Sequence, residues 1–402
     1  MTTTAARKRP TKVDPDAFRP DPHAGYARYR PVSGVLEIGG GFPTVVRYAD
    51  IMALMTDTHT RQLETEALAF RGITEGSLFD FYANSLLLSN APAHARRRAP
   101  LSRAFAFRLI QDLRPHIRAL VCEMLDEIET DGEADFLAAL ASPLPARLIA
   151  DILGIPRQQA PEFAAKVYTM TRGLGGFRDE DFPAIEAAAA QLMGYVEELL
   201  EARRQEPRED FLSSYLARVD EDGALSPIET LMQIVSVIIG GSDTTRFGLT
   251  STVSQLLQRR PQWEALGSDP ALVPGAVLEG LRFEPPVGAI GRVVTAPVEI
   301  DGVALKPGTV VNLSILSGQR DETVFAEPDV FDIERRDHPR WSLSFGHGAH
   351  RCVGEALARA EMEEALIALS QRLPGLRLAG DPPIAKGHTG IRGITGMRVA
   401  WG

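Results

Sequence analysis

Phe345-Gly346-His347-Gly348-Ala349-His350-Arg351-Cys352-Val353-Gly354 is the stretch on which the fold of this chain turns. Gly346, Gly348 and Gly354 let the backbone bend tightly and lie close to something broad and flat. Trp341 to Phe345 alternates apolar and polar side chains, which predicts an extended approach. Val353 to Leu373 has helical spacing, with Leu357, Leu366 and Leu369 on its apolar side. Cys352 therefore stands at a helix mouth, where the positive end of the dipole favours a thiolate. A thiolate is a strong, soft metal ligand. Two other readings stand beside ligation. Lone cysteines are commonly buried structural residues. Zinc is the third: His347, His350 and Cys352 offer three ligands, whereas a structural zinc site needs four and no second cysteine is near.

The decapeptide resembles the haem-binding loop of the cytochrome P-450 family, Phe-Gly-x-Gly-x-His-x-Cys-x-Gly. Every fixed position is present, and Ala356-Leu357-Ala358-Arg359-x-Glu361 follows in family manner. The resemblance implies that Cys352 is the axial thiolate of a haem iron, where it pushes electron density onto the metal to favour O–O cleavage. It implies that His350 points at a haem propionate and that Phe345 and Gly354 belong to the same cofactor loop.

The chain has 402 residues, is 44% apolar and carries a net charge of −10. That balance supplies a sizeable core and argues against a nucleic-acid partner. Two cysteines, Cys122 and Cys352, give no disulfide framework, and Cys122 lies in a helical run that places it in the core. Residues 1–16 are polar and read as an N-terminal tail ahead of a single domain over 17–402. They form neither a signal peptide nor a membrane anchor, and no apolar run reaches transmembrane length. A soluble, cytoplasmic protein of the bacterial type, without membrane insertion, is expected.

A second stretch carries chemistry. Ser226-Pro227 with Glu229 starts a helix that runs through Ile234, Val235, Ile238 and Ile239 into Gly240-Gly241-Ser242-Asp243-Thr244-Thr245, and on to about Leu257. Each interior glycine costs a helix about 1 kcal/mol against alanine, so space beside the backbone is needed there. Asp243 puts an acid in an apolar element, and buried carboxylates need partners. Threonine back-bonding to the preceding turn is the structural alternative. This stretch resembles the family's oxygen-binding groove. The implied roles are proton shuttling inward by Asp243 and a hydrogen bond from Thr244 to the iron-bound peroxo group, so that its distal oxygen is protonated.

Further positions follow the same resemblance. His94 and Arg98 share a helical face and match two propionate contacts; Arg292 takes the third. Arg96, Arg97, Arg103 and Arg359 are candidates for a surface that meets an acidic electron donor. Phe70 to Asn90 is aromatic and poorly periodic, and is expected to be a lid with Phe79, Phe81 and Tyr82 over the substrate. Gly240, Val287, Gly288 and Ala289 are expected to line the pocket. So is Ile394, in a terminal hairpin read over Ile391 to Val399. Gly173, Gly175 and Gly176 join two helices into a mobile flap. Glu279 and Arg282, with Arg335, are read as structural.

The fold implied is mainly α with small β-sheets, the cytochrome P-450 fold, with haem b between the long central helix and the cysteine-ligated helix. The reaction implied is monooxygenation: one atom of O₂ enters a small apolar organic substrate and the other leaves as water. Electrons are expected from a ferredoxin and a ferredoxin reductase, with no bound flavin or iron–sulfur cluster. The alternatives are a peroxide-driven peroxygenase, which the intact Asp243-Thr244 pair disfavours, and a non-catalytic haem-binding or sensing protein.

Overall fold

The computed structural model describes residues 8–402 other than Pro20 and Ala106. The helices begin with α1 (Pro22–Tyr29), α2 (Tyr48–Thr56), α3 (Glu66–Ala69), α4 (Ser77–Asn84) and α5 (Ala93–Ala104). Next come α6 (Phe107–Asp126), α7 (Pro143–Leu153), α8 (Ala160–Thr171), α9 (Phe182–Gln205) and α10 (Phe211–Asp222). The remainder are α11 (Pro227–Leu257), α12 (Arg260–Ser268), α13 (Val273–Phe283), α14 (Ile315–Gly318) and α15 (Glu355–Arg372).

The strands are short: β1 (Thr11–Val13), β2 (Val35–Ile38), β3 (Thr44–Val45), β4 (Thr60–Gln62), β5 (Glu133–Asp135), β6 (Ala289–Val294) and β7 (Val298–Ile300). They continue with β8 (Val303–Leu305), β9 (Val310–Ser314), β10 (Arg377–Leu378), β11 (Ala385–Lys386), β12 (Gly393–Ile394) and β13 (Arg398–Ala400). The main sheet has the order β1-β2-β3-β9-β6-β4. This is the mainly α architecture with small sheets that the sequence implies.

Helix α11 organises the interior. Ser226 accepts from the Glu229 backbone N–H, and the Glu229 carboxylate accepts from the Ser226 N–H: a capping box with proline behind it. Glu229 also binds Arg96 through both oxygens and Arg97 through one. Burial works against its charge, yet Arg96, the Ser226 N–H and Arg97 together hold its pKa down to about 2. The helix is then buried along nearly all its length and packs on α7, α8, α9, α13 and α15. A helix apolar on every side is stable only in such a setting.

The sequence and the structure part in four places. The tail boundary at residue 16 falls too late, because β1 pairs in parallel with β2 and Val13 is buried; residues 1–7 lie outside the described residues. The approach to the cysteine loop is a 3-10 turn at Leu343–Phe345, capped by the Ser342 side chain, not an extended run. Ile391 to Val399 is not one hairpin. β12 pairs with β11, whereas β13 pairs with β10 and β5. Phe70 to Asn90 holds the regular helix α4, whose N-terminal Ser77 and Leu78 N–H groups donate to the Glu186 carboxylate.

Glu279 anchors the far side of the core. It is fully buried and receives two hydrogen bonds from Arg282, both 2.7 Å, one from Arg335 at 3.2 Å and one from the Asp332 N–H at 2.9 Å. Arg282 spends its remaining donors on the carbonyls of Gln319, Pro328 and Val330. The Glu-x-x-Arg pair and the later arginine thus join as the sequence implies, in a structural role.

Candidate active site

The loop around Cys352 is built by its glycines. Gly346 and Gly348 both have φ of +68°, in the left-handed region that favours glycine. A Cβ on Gly348 would also lie 2.9 Å from Thr56 Cγ2, so the loop rests directly on the end of α2. The Cys352 N–H donates to the Phe345 carbonyl at 2.8 Å and closes the turn. The Arg351 guanidinium lies 4.0 Å from the centre of the Trp341 ring and pairs with Glu355.

Cys352 precedes α15, with Gly354 as the helix cap. A water-sized sphere can touch its side chain, so nothing packs over it. Burial pushes its thiol up, while the Gly354 N–H and the charges of Arg98 and Arg351 pull it down; burial wins. The zinc alternative has no support: among the described residues no three His, Cys, Asp or Glu side chains gather as a metal set.

Beside the loop stands a cationic corner. The rings of His94, on α5, and His350 have centroids 4.0 Å apart. Burial, then Arg98, lowers the His94 pKa to about 4. Burial, then His94, Arg292 and Arg98, lowers that of His350 to about 3. Among the described residues Arg292, on β6, donates only to Thr60, and burial lowers its pKa to about 10. Among the described residues no carboxylate hydrogen-bonds or ion-pairs with any of these four side chains. His94 Nε2 is buried without a partner among the described residues. A buried group of donors lacking a counter-anion fits the acid groups of a haem.

Gly240 and Thr244, one turn apart, are partly exposed on a helix whose other residues here are mostly packed over. The two glycines serve different neighbours. A Cβ on Gly240 would reach 3.9 Å from Leu87 Cδ1 and nothing nearer, whereas one on Gly241 would meet Ile149 of α7 at 3.5 Å. Thr244 donates to the Gly240 carbonyl at 2.8 Å, the back-bond that was the structural alternative. The helix runs unbroken through it.

The remaining pocket residues separate into two groups. Phe81 is fully buried and Tyr82 nearly so, both in the core under α9. Tyr82 donates to the Gly173 carbonyl at 2.8 Å. They fix the flap loop rather than cover a substrate, which corrects their expected role; Phe79 is only partly buried. Gly288 is glycine because the β11–β12 connection abuts it: a Cβ there would lie 2.5 Å from the His388 backbone. Its N–H donates to Gly390, whose N–H donates to Ala289. Val287 and Ile394 remain partly exposed beside this connection. Leu87, absent from the expected set, is 37% exposed and faces Gly240. Its signal was the run Leu86-Leu87-Leu88 directly after α4.

The arginine run is also reassigned. Arg97 is buried on Glu229, Ala83 and Ser85, and Arg96 is committed to Glu229 and Ala224. Arg103 pairs with Asp222, and Arg359 lies 3.7 Å from Glu363. Arg96 and Arg97 tie α5 to α11 and Arg103 ties it to α10, whereas Arg359 pairs within α15.

A cysteine loop of this geometry, a cationic corner and a central helix with an open glycine match known proteins. Residues 256–375 match the family model described as Cytochrome P450. The chain is 41% identical to the plant-inducible cytochrome P450-pinF1 of Rhizobium radiobacter, over 96% of this chain and 93% of that one. The chain belongs to the cytochrome P450 family. This P450 is also 35% identical to nocardicin C N-oxygenase of Nocardia uniformis subsp. tsuyamanensis, over the whole of both chains. The crystal structure of CalO2 aligns with a TM-score of 0.89 at 30% identity, covering 98% of this chain and 99% of that one. The protein is a haem-thiolate monooxygenase, an oxidoreductase that draws on O₂, an organic substrate and redox partners. No helix among the described residues is long and apolar enough to cross a membrane.

Proposed function

We propose that this P450 holds haem b with Cys352 as axial ligand and oxidises a small apolar organic substrate with electrons from a ferredoxin and its reductase. The observation that carries the cofactor assignment is the cationic corner of His94, Arg98, Arg292 and His350, a site for two carboxylates next to an accessible cysteine. When bound, the haem supplies reductive activation of O₂, transfer of one oxygen atom to substrate and release of the other as water. Phe345 and Gly354 shape the loop that delivers Cys352. Asp243 and Thr244 move protons: Asp243 holds them at the edge of the open strip on α11, and the Thr244 hydroxyl presents them beside Gly240.

Leu87, Phe79, Val287 and Ile394 supply partly exposed apolar surface for the substrate, with Gly240 as the open floor. Ala289 and Gly288 act from behind, by seating the β11–β12 connection. An acidic donor protein suits the cations that remain at the cysteine loop. Arg340 is exposed, has no ion pair among the described residues and lies 4.8 Å from the centre of the Trp341 ring. The cytoplasm, where such donors are reduced, is the proposed location. The test is turnover of a substrate found by spin-state screening, with and without a plant-type ferredoxin and its reductase. Dependence on both proteins supports the proposal; turnover by the purified protein with NAD(P)H alone contradicts it.

A further inference from the structure

Asp243 does not face the interior unaided. It is buried, and its carboxylate is paired with Arg246, one turn further along α11. The Arg246 guanidinium carbon lies 4.1 Å from the centre of the Tyr168 ring, on α8. The Tyr168 hydroxyl donates to the Ser142 carbonyl at the head of α7, which fixes the ring. Arg246 Nε is buried with no hydrogen-bond partner among the described residues, so the guanidinium is held by the acid on one side and by the aromatic face on the other. Thr171, one turn beyond Tyr168 on α8, donates its hydroxyl to the Val167 carbonyl at 2.8 Å and lies near enough to Asp243 to lower its pKa. Glu361 of α15 is the remaining titratable group near this cluster: it is buried, one of its oxygens has no partner among the described residues, and its charge is felt at Tyr168.

On a helix of 3.6 residues per turn, Asp243 sits between the open strip of Gly240 and Thr244 and the face that carries Arg246. The acid is thus at the border of the reaction space, and its cation lies on the side away from it, under α8. The aromatic face favours the guanidinium rotamer that lies flat on it. Lysine would not substitute, because a point charge cannot both lie flat on a ring and fork onto a carboxylate.

We propose that Arg246 is a positioning residue for Asp243 and that Tyr168 holds Arg246 in place, so that the ionisation of the acid depends on how α8 sits on α11. The proposal rests on the reading of Asp243 as the group that passes protons inward. Burial raises the Asp243 pKa, and the charge and hydrogen bond of Arg246 are the main opposing influences, with Thr171 adding to them. Loss of the cation therefore leaves burial unopposed and moves the acid further up.

The test is a carbon-13 NMR titration of the haem-loaded full chain carrying labelled aspartate, with the Asp243 resonance assigned by its loss in Asp243→Asn. Arg246→Gln and Tyr168→Leu are each expected to raise the Asp243 midpoint, Arg246→Gln by about one pH unit or more. Tyr168→Phe keeps the ring face and is expected to leave the midpoint in place. The reduced carbon-monoxide spectrum of each variant reports whether the haem site is intact. An Arg246→Gln midpoint equal to that of the parent overturns the proposal on its own, and so does a Tyr168→Leu midpoint that stays put in a variant with an intact spectrum. A separate measurement tests the underlying reading: the solvent deuterium isotope effect on peroxide release during turnover with a plant-type ferredoxin and its reductase. If Asp243→Asn leaves that isotope effect unchanged while Arg246→Gln moves the midpoint, the proton-delivery reading fails and the positioning role stands.

Discussion

His94 and His350 lie ring against ring, their centroids 4.0 Å apart and their planes tilted by 46°. Burial and the neighbouring arginines hold both pKa values below the usual histidine range. The corner offers two ring nitrogens plus the charges of Arg98 and Arg292. Hydrogen bonds to charged groups contribute about 1.5–3 kcal/mol each. Arg98→Leu is expected to weaken haem binding about 10–100-fold, measured by haem titration of the cofactor-depleted protein. Unchanged affinity would remove the corner from the cofactor site.

Glu279 has its carboxylate committed to Arg282, Arg335 and the Asp332 N–H with no water-facing surface. Glu279→Gln leaves Arg282 without its counter-charge, while Arg335 keeps Asp337 at 3.1 Å. Breaking one side of a buried ion pair costs about 3–5 kcal/mol. The variant is expected to show a matching loss in denaturant unfolding, or recovery only as insoluble protein, with no selective effect on substrate affinity.

Glu361 gives the pH dependence. Burial alone pushes its pKa up to about 8. In the unfolded chain it ionises near the ordinary glutamate value of 4.5. Between those values the folded state holds a proton that the unfolded state has released. The group therefore costs stability progressively as pH rises from about 4.5 to about 8, and the cost is constant above that. Glu361→Gln should flatten the stability profile over that window and stabilise the protein at pH 8 by a few kcal/mol, on the order of 1.4 per pKa unit. Parallel profiles for parent and variant would contradict the buried, proton-holding state.

Leu87 and Phe81 separate pocket from core. Leu87→Trp fills space opposite Gly240 and is expected to abolish or weaken by about 10-fold the spin-state shift produced by a bulky apolar ligand, with little change in melting temperature. Phe81→Leu shrinks a fully buried ring and is expected to cost about 1–3 kcal/mol of stability with ligand affinity kept. The reverse pattern would restore the lid reading of Phe81.

What the sequence makes legible is what local chemistry encodes. The cysteine loop is readable because its glycines, histidine and cysteine are ten consecutive residues. The start of α11 is readable because Ser226, Pro227 and Glu229 form a cap among themselves. Arg97 is not readable, because its partner Glu229 is 132 residues away and a run of arginines looks solvated until that carboxylate is placed. Phe81 and Tyr82 fail for a similar reason: an aromatic on a short helix has no assigned face until α9 and the Gly173 loop pack on it. Arg246 gave no signal of its own, since the ring that holds it is on α8. β1 is three residues long, too short for any alternation to register.

The central claim is that Cys352 ligates the haem iron as a thiolate, and the most direct test is the carbon-monoxide difference spectrum of the dithionite-reduced protein, compared with Cys352→His. A strongly red-shifted Soret band is expected for the parent, and its loss in the variant. A parent band at the position of histidine or neutral-thiol ligation, or one that survives Cys352→His, would contradict it.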